Sequence, residues 1–146
     1  MRADAAIEAA VIHCVATFGT AYNRRDPATI LALFAPDADV VFLGTGADER
    51  RVGPDAVRAQ LERDFAQSDE ASFAWSWQTV SQAGMVAWIT AEGHVSATIE
   101  GHHLSFPLRL TGVLERRATD WLFVQMHLSV PATSEPEGHS FPTLPW

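Results

Sequence analysis

Four polar side chains in the C-terminal half of the chain have types and spacings suited to proton transfer. Glu92 and His94 lie two residues apart in the β-like run MVAWITAEGHVS, so both fall on one face of a strand, where a carboxylate and an imidazole can exchange protons. Arg109 can anchor a ligand carboxylate or an enolate oxygen, and His127 can act as a base, because histidine ordinarily titrates near neutral pH. We predict these four residues as the catalytic candidates.

Each candidate also has a structural explanation that the sequence leaves open. The face that carries Glu92 and His94 could point to solvent or to a dimer interface. An arginine in an apolar strand needs a negative partner, so Arg109 could pair with Glu92 or with a carboxylate across a dimer. His127 could be a hydrogen-bonded structural histidine that supports Ser129.

Aromatic and small polar side chains in the first helix and the later strands are typical of an apolar pocket with a few polar groups. Trp75 and Trp77 share a face by period-two alternation. The same aromatics could instead pack as ordinary core, which a domain of this size also requires. The predicted ligand-binding residues are Phe18, Tyr22, Phe42, Trp75, Trp77, Trp88, Thr90, Thr111 and Gln125.

The sequence predicts neither a metal site nor a cofactor. His102 and His103 are adjacent, so on a strand they point to opposite faces and cannot bind one metal from the same side. Cys14 is the single cysteine, which excludes an intrachain disulfide framework, and it lies on the apolar stripe of the first predicted helix, where we expect it to be buried and inert.

The charge balance limits the partners. The chain has ten arginines, no lysine and eighteen carboxylates, for a net charge of −8. The negative charge argues against binding to nucleic-acid phosphates. The absence of lysine excludes Schiff-base chemistry through a lysine side chain. No apolar run approaches the roughly twenty residues that span a bilayer. The start MRADAAIEAA lacks the layout of a secretion signal, so we expect a cytoplasmic protein.

The first part of the chain predicts three helices and one short strand. Apolar residues recur every three or four positions from Asp4 to Arg24, which predicts a long amphipathic helix. Asp26–Pro27 is a typical start for a short second helix, and Gly53–Pro54 opens a third. Residues 39–43 (DVVFL) are β-rich, and the glycine-containing segment GTGADERRVG that follows predicts a turn.

The period changes to two after about residue 70, which predicts four sequential antiparallel strands near 72–82, 85–99, 102–117 and 121–130. Helices followed by hairpin-linked strands indicate an α+β domain over residues 1–130, and strands this long must twist or curl, which leaves a concavity. Residues 131–146 hold four prolines and predict a C-terminal tail without regular structure.

Four stretches carry a family resemblance: AYNRRDPATILALFAPDADVVFLGTGADERRVGPDAV, MVAWITAEG, RLTGVLERR and WLFVQMHLSVP. Together they resemble the NTF2-like superfamily and, within it, the SnoaL-like (ketosteroid-isomerase-like) domain proteins. That resemblance implies the order ααβαββββ and a cone in which a strongly bent antiparallel sheet wraps around the long N-terminal helix. It also implies a deep pocket and a homodimer.

The resemblance also implies which chemistry is absent. Phe18 falls where the ketosteroid isomerases have their oxyanion-hole tyrosine, and Phe42 falls where they have their base, so isomerisation by that machinery is disfavoured. Two functions therefore stay open. One is a cofactor-free isomerase, cyclase or dehydratase that acts by proton transfer on a hydrophobic, polyketide- or steroid-like ligand. The other is a non-catalytic homodimeric binding or association module.

Overall fold

The computed structural model describes residues 1–141 and is an α+β cone of the predicted type. The three helices within that range are α1 (Ala5–Asn23), α2 (Pro27–Ala32) and α3 (Pro54–Gln67). The strands are β1 (Val41–Leu43), β2 (Arg50–Val52), β3 (Glu70–Ala83), β4 (Val86–Ile99), β5 (His102–Arg117) and β6 (Asp120–Ser129).

Capping carboxylates and prolines mark the helix starts, among them the predicted starts at Asp26–Pro27 and Gly53–Pro54. The side chain of Asp4 accepts a hydrogen bond from the Ile7 amide at 2.9 Å, and that of Asp26 accepts one from the Thr29 amide at 3.1 Å, so each carboxylate satisfies an amide that the helix leaves free. Pro54 occupies the first position of α3, where no amide hydrogen is needed.

The six strands within the described residues form one curled sheet in the order β2-β1-β6-β5-β4-β3. Strands β3 to β6 form an antiparallel meander, and β1 joins β6 in parallel. Strand β2 lies inside the segment predicted as a turn, and it pairs with β1 over three residues. A three-residue edge strand is too short to show a period-two pattern, which is why the sequence did not reveal it.

The predicted hairpin between β4 and β5 has a two-residue turn. Glu100 and Gly101 both have positive φ, 49° and 78°, as a tight turn matched to the twist of its strands requires. The turn places residues 86–99 opposite residues 102–115 without interruption. These two long strands form the middle of the sheet.

A β-bulge at Ser76 interrupts the alternation of side chains between the two faces of β3 midway along the strand. Trp75 lies opposite Gly93, whereas Trp77 lies opposite Glu92, so the two tryptophans face opposite sides of the sheet. Gly93 makes the bulge possible, because a Cβ there would lie 2.1 Å from the carbonyl oxygen of Ala74. The prediction that Trp75 and Trp77 share a face is therefore wrong, since it assumed regular alternation.

Helix α1 packs into the concave side of the sheet through the stripe that the sequence predicts. Its buried residues are Val11, Cys14, Val15, Phe18 and Ala21. The Cys14 thiol lies 3.4 Å from the Trp121 carbonyl oxygen, to which it donates, and burial raises the pKa of this thiol. Cys14 is thus a buried packing residue, as expected.

Within the described range, α1 is also the one helix that is long and apolar enough to cross a membrane. A helix that packs into a protein core meets the same criterion, and Val11, Val15 and Phe18 are buried against the sheet. The cytoplasmic location stays a prediction. Of the predicted tail, residues 131–141 contain no helix or strand, and residues 142–146 lie outside the described range.

We expect Gly93→Ala to lower the free energy of unfolding by about 3 kcal/mol, because its methyl group collides with backbone that cannot yield without breaking the bulge. Urea denaturation measures the change. The control is Gly19→Ala in α1, where the added methyl would lie 3.6 Å from Phe73, and we expect a gain of about 0.5–1 kcal/mol there. Unchanged stability in Gly93→Ala would contradict the bulge geometry.

Candidate functional site

A cavity of about 200 Å³ lies between the C-terminal ends of α1 and α3 and the concave face of the sheet. We call it the central cavity. Thr45, Gln67 and Ile99 are exposed and form its rim. The other residues that line it are Tyr22, Asp64, Ser68, Ala71, Phe73, Val95, Ala97, Phe106, Leu108 and Leu128.

The polar end of the central cavity is a hydrogen-bonded pair. The Tyr22 hydroxyl, in the last turn of α1, donates to Asp64 Oδ2 in α3 at 2.9 Å. Burial raises the pKa of the Asp64 carboxyl, against the opposing effect of the hydrogen bonds from Tyr22 and Gln60. Burial and the neighbouring Asp64 charge raise the pKa of Tyr22 far above its ordinary value. The pair therefore holds a protonated phenol against a carboxylate with increased proton affinity.

Gln60 fixes the second oxygen of Asp64 in place. Its side chain is 1% exposed, and its Nε2 donates to Asp64 Oδ1 at 2.6 Å and to Glu49 Oε1 at 3.2 Å. Its Oε1 accepts a hydrogen bond from Arg51 Nε at 2.8 Å. Every polar atom of this buried amide group is therefore bonded, and Asp64 is tied to the loop between β1 and β2.

Arg25 sets the distance between the two helices that supply the pair. Its guanidinium donates to the carbonyl oxygen of Asp69 at 2.8 Å and to those of Phe65 and Ser68, at the C-terminal end of α3. It also lies 5.3 Å from the centre of the Phe65 ring. Carbonyls at a helix end carry partial negative charge, so this arginine caps α3 and joins it to the end of α1.

The walls of the central cavity are apolar and partly aromatic. The Tyr22 and Phe73 rings meet edge to face, with centroids 5.2 Å apart and an interplanar angle of 85°. Phe18 stands behind Phe73 at 5.9 Å and is fully buried. The small side chains of Ala71 and Ala97 leave the space that the cavity occupies.

The four predicted catalytic residues lie elsewhere, on the outer face of the sheet. Glu92, His94, Arg109 and His127 are all exposed, and none is among the residues that line the central cavity. Arg109 Nε lies 3.1 Å from Glu92 Oε1, in an ion pair whose side chains are 55% and 51% exposed. The structure therefore places these side chains as the structural explanation describes: their face of the sheet points outward, and Arg109 pairs with Glu92.

Of the nine predicted ligand-binding residues, Tyr22 lines the central cavity. Phe18 and Phe42 belong to the buried core, and Trp75 packs against that core from the inner face of β3. The remaining five are on the outer face: Trp77, Trp88, Thr90, Thr111 and Gln125. Along β4, β5 and β6, the buried residues are small or apolar and face the concave side of the sheet. The polar residues between them therefore face outward.

Asp64 and Gln60 are the residues that the sequence reasoning missed. They are four positions apart in α3, beside the buried stripe of Val57 and Leu61, so they share one flank of the helix. This four-residue spacing was the signal in the sequence that could have identified the two residues as neighbours on α3. In addition, no three His, Cys, Asp or Glu side chains within residues 1–141 converge as metal ligands.

Comparison with known families agrees with this architecture. A SnoaL-like domain matches residues 11–133, most of the chain. The chain belongs to the SnoaL-like family. No curated protein matches the chain significantly. The SnoaL-like match covers all six described strands and residues 11–23 of α1, and it includes every residue that lines the central cavity.

Solved structures show the same fold. An NTF2-like superfamily protein from Salmonella enterica serovar Typhimurium has a TM-score of 0.82 at 15% identity, over 94% of this chain and 99% of that one. A proposed dehydratase of the NTF2-like family from Streptomyces avermitilis has a TM-score of 0.80 at 20% identity, over 88% of this chain and 98% of that one. A proposed calcium/calmodulin-dependent protein kinase II association domain from Xanthomonas campestris has a TM-score of 0.75 at 22% identity, over 84% of this chain and 86% of that one. At such identities the likeness establishes the fold alone.

Proposed function

We propose that this SnoaL-like protein binds a small, mainly apolar molecule in the central cavity and acts on it by proton transfer, with Asp64 as the base. The observation that carries the proposal is the 2.9 Å bond between Tyr22 and Asp64 at one end of an apolar, partly aromatic cavity. A carboxylate with raised pKa is a better proton acceptor than a solvated one, and catalytic bases are tuned in this way. Isomerase, cyclase and dehydratase reactions belong to this class and need no cofactor.

The size of the cavity limits the ligand. A cavity of about 150 Å³ encloses benzene, so the 200 Å³ here suits about one ring with a short substituent. A steroid- or polyketide-like ligand would extend beyond the rim at Thr45, Gln67 and Ile99. Two of the similar structures, from Streptomyces avermitilis and Novosphingobium aromaticivorans, are proposed dehydratases, which is consistent with the reaction class.

The test uses 1,2-benzisoxazole, a compact fused ring that opens when a base removes its ring C–H proton, the N–O bond breaks and 2-cyanophenolate forms. We expect the protein to catalyse this opening and Asp64→Asn to lower kcat/KM by about 100-fold, because the general base is lost. Ala97→Phe should also abolish catalysis by filling the central cavity. Product absorbance measures the rate.

Two control variants separate the site from the rest of the surface. Glu62→Gln removes an exposed carboxylate from the same helix, and Ala59→Phe adds the same ring to an exposed position of α3 outside the cavity lining, so both should leave the rate unchanged. Circular dichroism checks that all four variants are folded. A rate that is equal in Asp64→Asn and the unaltered protein would contradict the assignment of the base.

A second proposal is that the protein forms a homodimer through the outer face of the sheet. Trp77 is 52% exposed there, opposite Glu92 and beside the Glu92–Arg109 ion pair. A surface that presents an aromatic ring together with both charges can pair with a copy of itself about a two-fold axis. The shared fold with a proposed association domain from Xanthomonas campestris supports self-association of this kind of domain.

Sedimentation tests the homodimer at micromolar concentration. We expect a dimer for the unaltered protein and a monomer for Trp77→Asp, because a charge would replace the buried ring. Val52→Asp is the control, since Val52 is similarly exposed at 54% but lies on the edge strand β2. A monomeric unaltered protein, or a dimeric Trp77→Asp, would contradict the proposal.

A further inference from the structure

The central cavity presents one charged side chain to a ligand, and its charge is negative. Asp64 is the carboxylate in the lining, and no arginine or histidine lines the cavity within the described range. The guanidinium groups of Arg25 and Arg63, whose charges act on the hydrogen-bonded pair of the cavity, have other partners. Arg25 donates to the carbonyls at the end of α3, and Arg63 binds Asp48 at 2.7 Å and Glu49 at 3.1 Å.

The hydroxyl groups of the inner lining are turned into acceptors. The Tyr22 proton is donated to Asp64 Oδ2, and the Ser68 hydroxyl donates to the Asp64 carbonyl at 2.8 Å, so both hydroxyl oxygens offer lone pairs to the cavity. Each carboxylate oxygen of Asp64 accepts one bond, from Tyr22 or from Gln60, and has capacity for another. The polar end of the cavity therefore suits a group with several donor hydrogens.

Charge and aromatic walls both favour a cation. Burial makes ionised Asp64 less stable than it is in water, and a cationic partner would offset that cost. Tyr22, Phe73 and Phe106 present rings around the same space, and ring faces attract ammonium groups. A carboxylate ligand would meet the Asp64 charge without any lining cation to balance it.

We propose that the ligand of the central cavity is a small primary amine, bound as its ammonium ion to Asp64 with a ring or branched hydrocarbon against the aromatic walls. This inference rests on the proposed function, in which the cavity binds a ring-sized molecule. An ammonium group on one carboxylate oxygen stabilises the ionised form of the buried Asp64.

The experiment compares four probes of nearly equal shape by calorimetry at neutral pH: benzylamine, benzyl alcohol, toluene and benzoate. We expect benzylamine to bind at least tenfold more tightly than benzyl alcohol, because charge-assisted hydrogen bonds are about twice as strong as neutral ones. Benzoate should bind most weakly. Asp64→Asn should remove the preference for benzylamine and leave the affinity for benzyl alcohol within about threefold, whereas Glu62→Gln should preserve the preference.

The outcomes distinguish this inference from the proposed function. If the neutral probes bind and benzylamine binds no more tightly, the amine assignment is overturned and the cavity remains a site for small molecules. If benzoate binds most tightly, the assignment is equally overturned. If none of the four probes binds, the proposed function fails together with the inference. The series on the unaltered protein decides the case even if Asp64→Asn does not fold.

Discussion

The hydrogen bond between Tyr22 and Asp64 is the interaction on which the functional interpretation depends. It joins the last turn of α1 to the last turn of α3, at the polar end of the central cavity. Since the phenol donates its proton to the carboxylate, the pair offers the cavity lone pairs rather than hydrogens. A neighbouring apolar wall raises the proton affinity of the carboxylate, and this combination suits both proton transfer and recognition of a donor group.

The rest of the structure holds that pair in place. Arg25 binds the carbonyls at the C-terminal end of α3 and so fixes the approach of the two helices. Gln60, buried and fully bonded, connects Asp64 to Glu49 and Arg51 at the β1–β2 hairpin. A buried amide with every polar atom satisfied holds its neighbours in one arrangement, because any movement would leave a polar group without a partner. Asp64 is consequently a fixed group and not a mobile surface carboxylate.

The sequence predicted the elements well because their patterns are local. The three- and four-residue spacing from Ile7 to Tyr22, the Asp26–Pro27 start and the Glu100–Gly101 turn each depend on neighbours along the chain, and the structure places α1, α2 and the hairpin there. The curvature of the whole sheet decides which face of a strand is concave. Alternation along single strands therefore grouped the polar residues on one face but could not show that this face points outward. The bulge at Ser76 follows from the contact between Gly93 and Ala74 of the neighbouring strand, which no local pattern records. Asp64 reaches Tyr22 across 42 positions, a pairing that is visible only in three dimensions.

Titration of the tyrosine is the most direct test, because Tyr22 is the single tyrosine of the chain and its ultraviolet absorbance reports on no other phenol. The folded protein holds the Tyr22 proton more tightly than the unfolded chain, so its contribution to stability is complete below the unfolded pKa of about 10 and is lost as the pH rises above that value. We expect no tyrosinate absorbance while the protein remains folded, and its appearance together with the loss of circular dichroism at alkaline pH. A phenol that ionises in the folded protein with an ordinary pKa would contradict the buried pair with Asp64 and the site built on it.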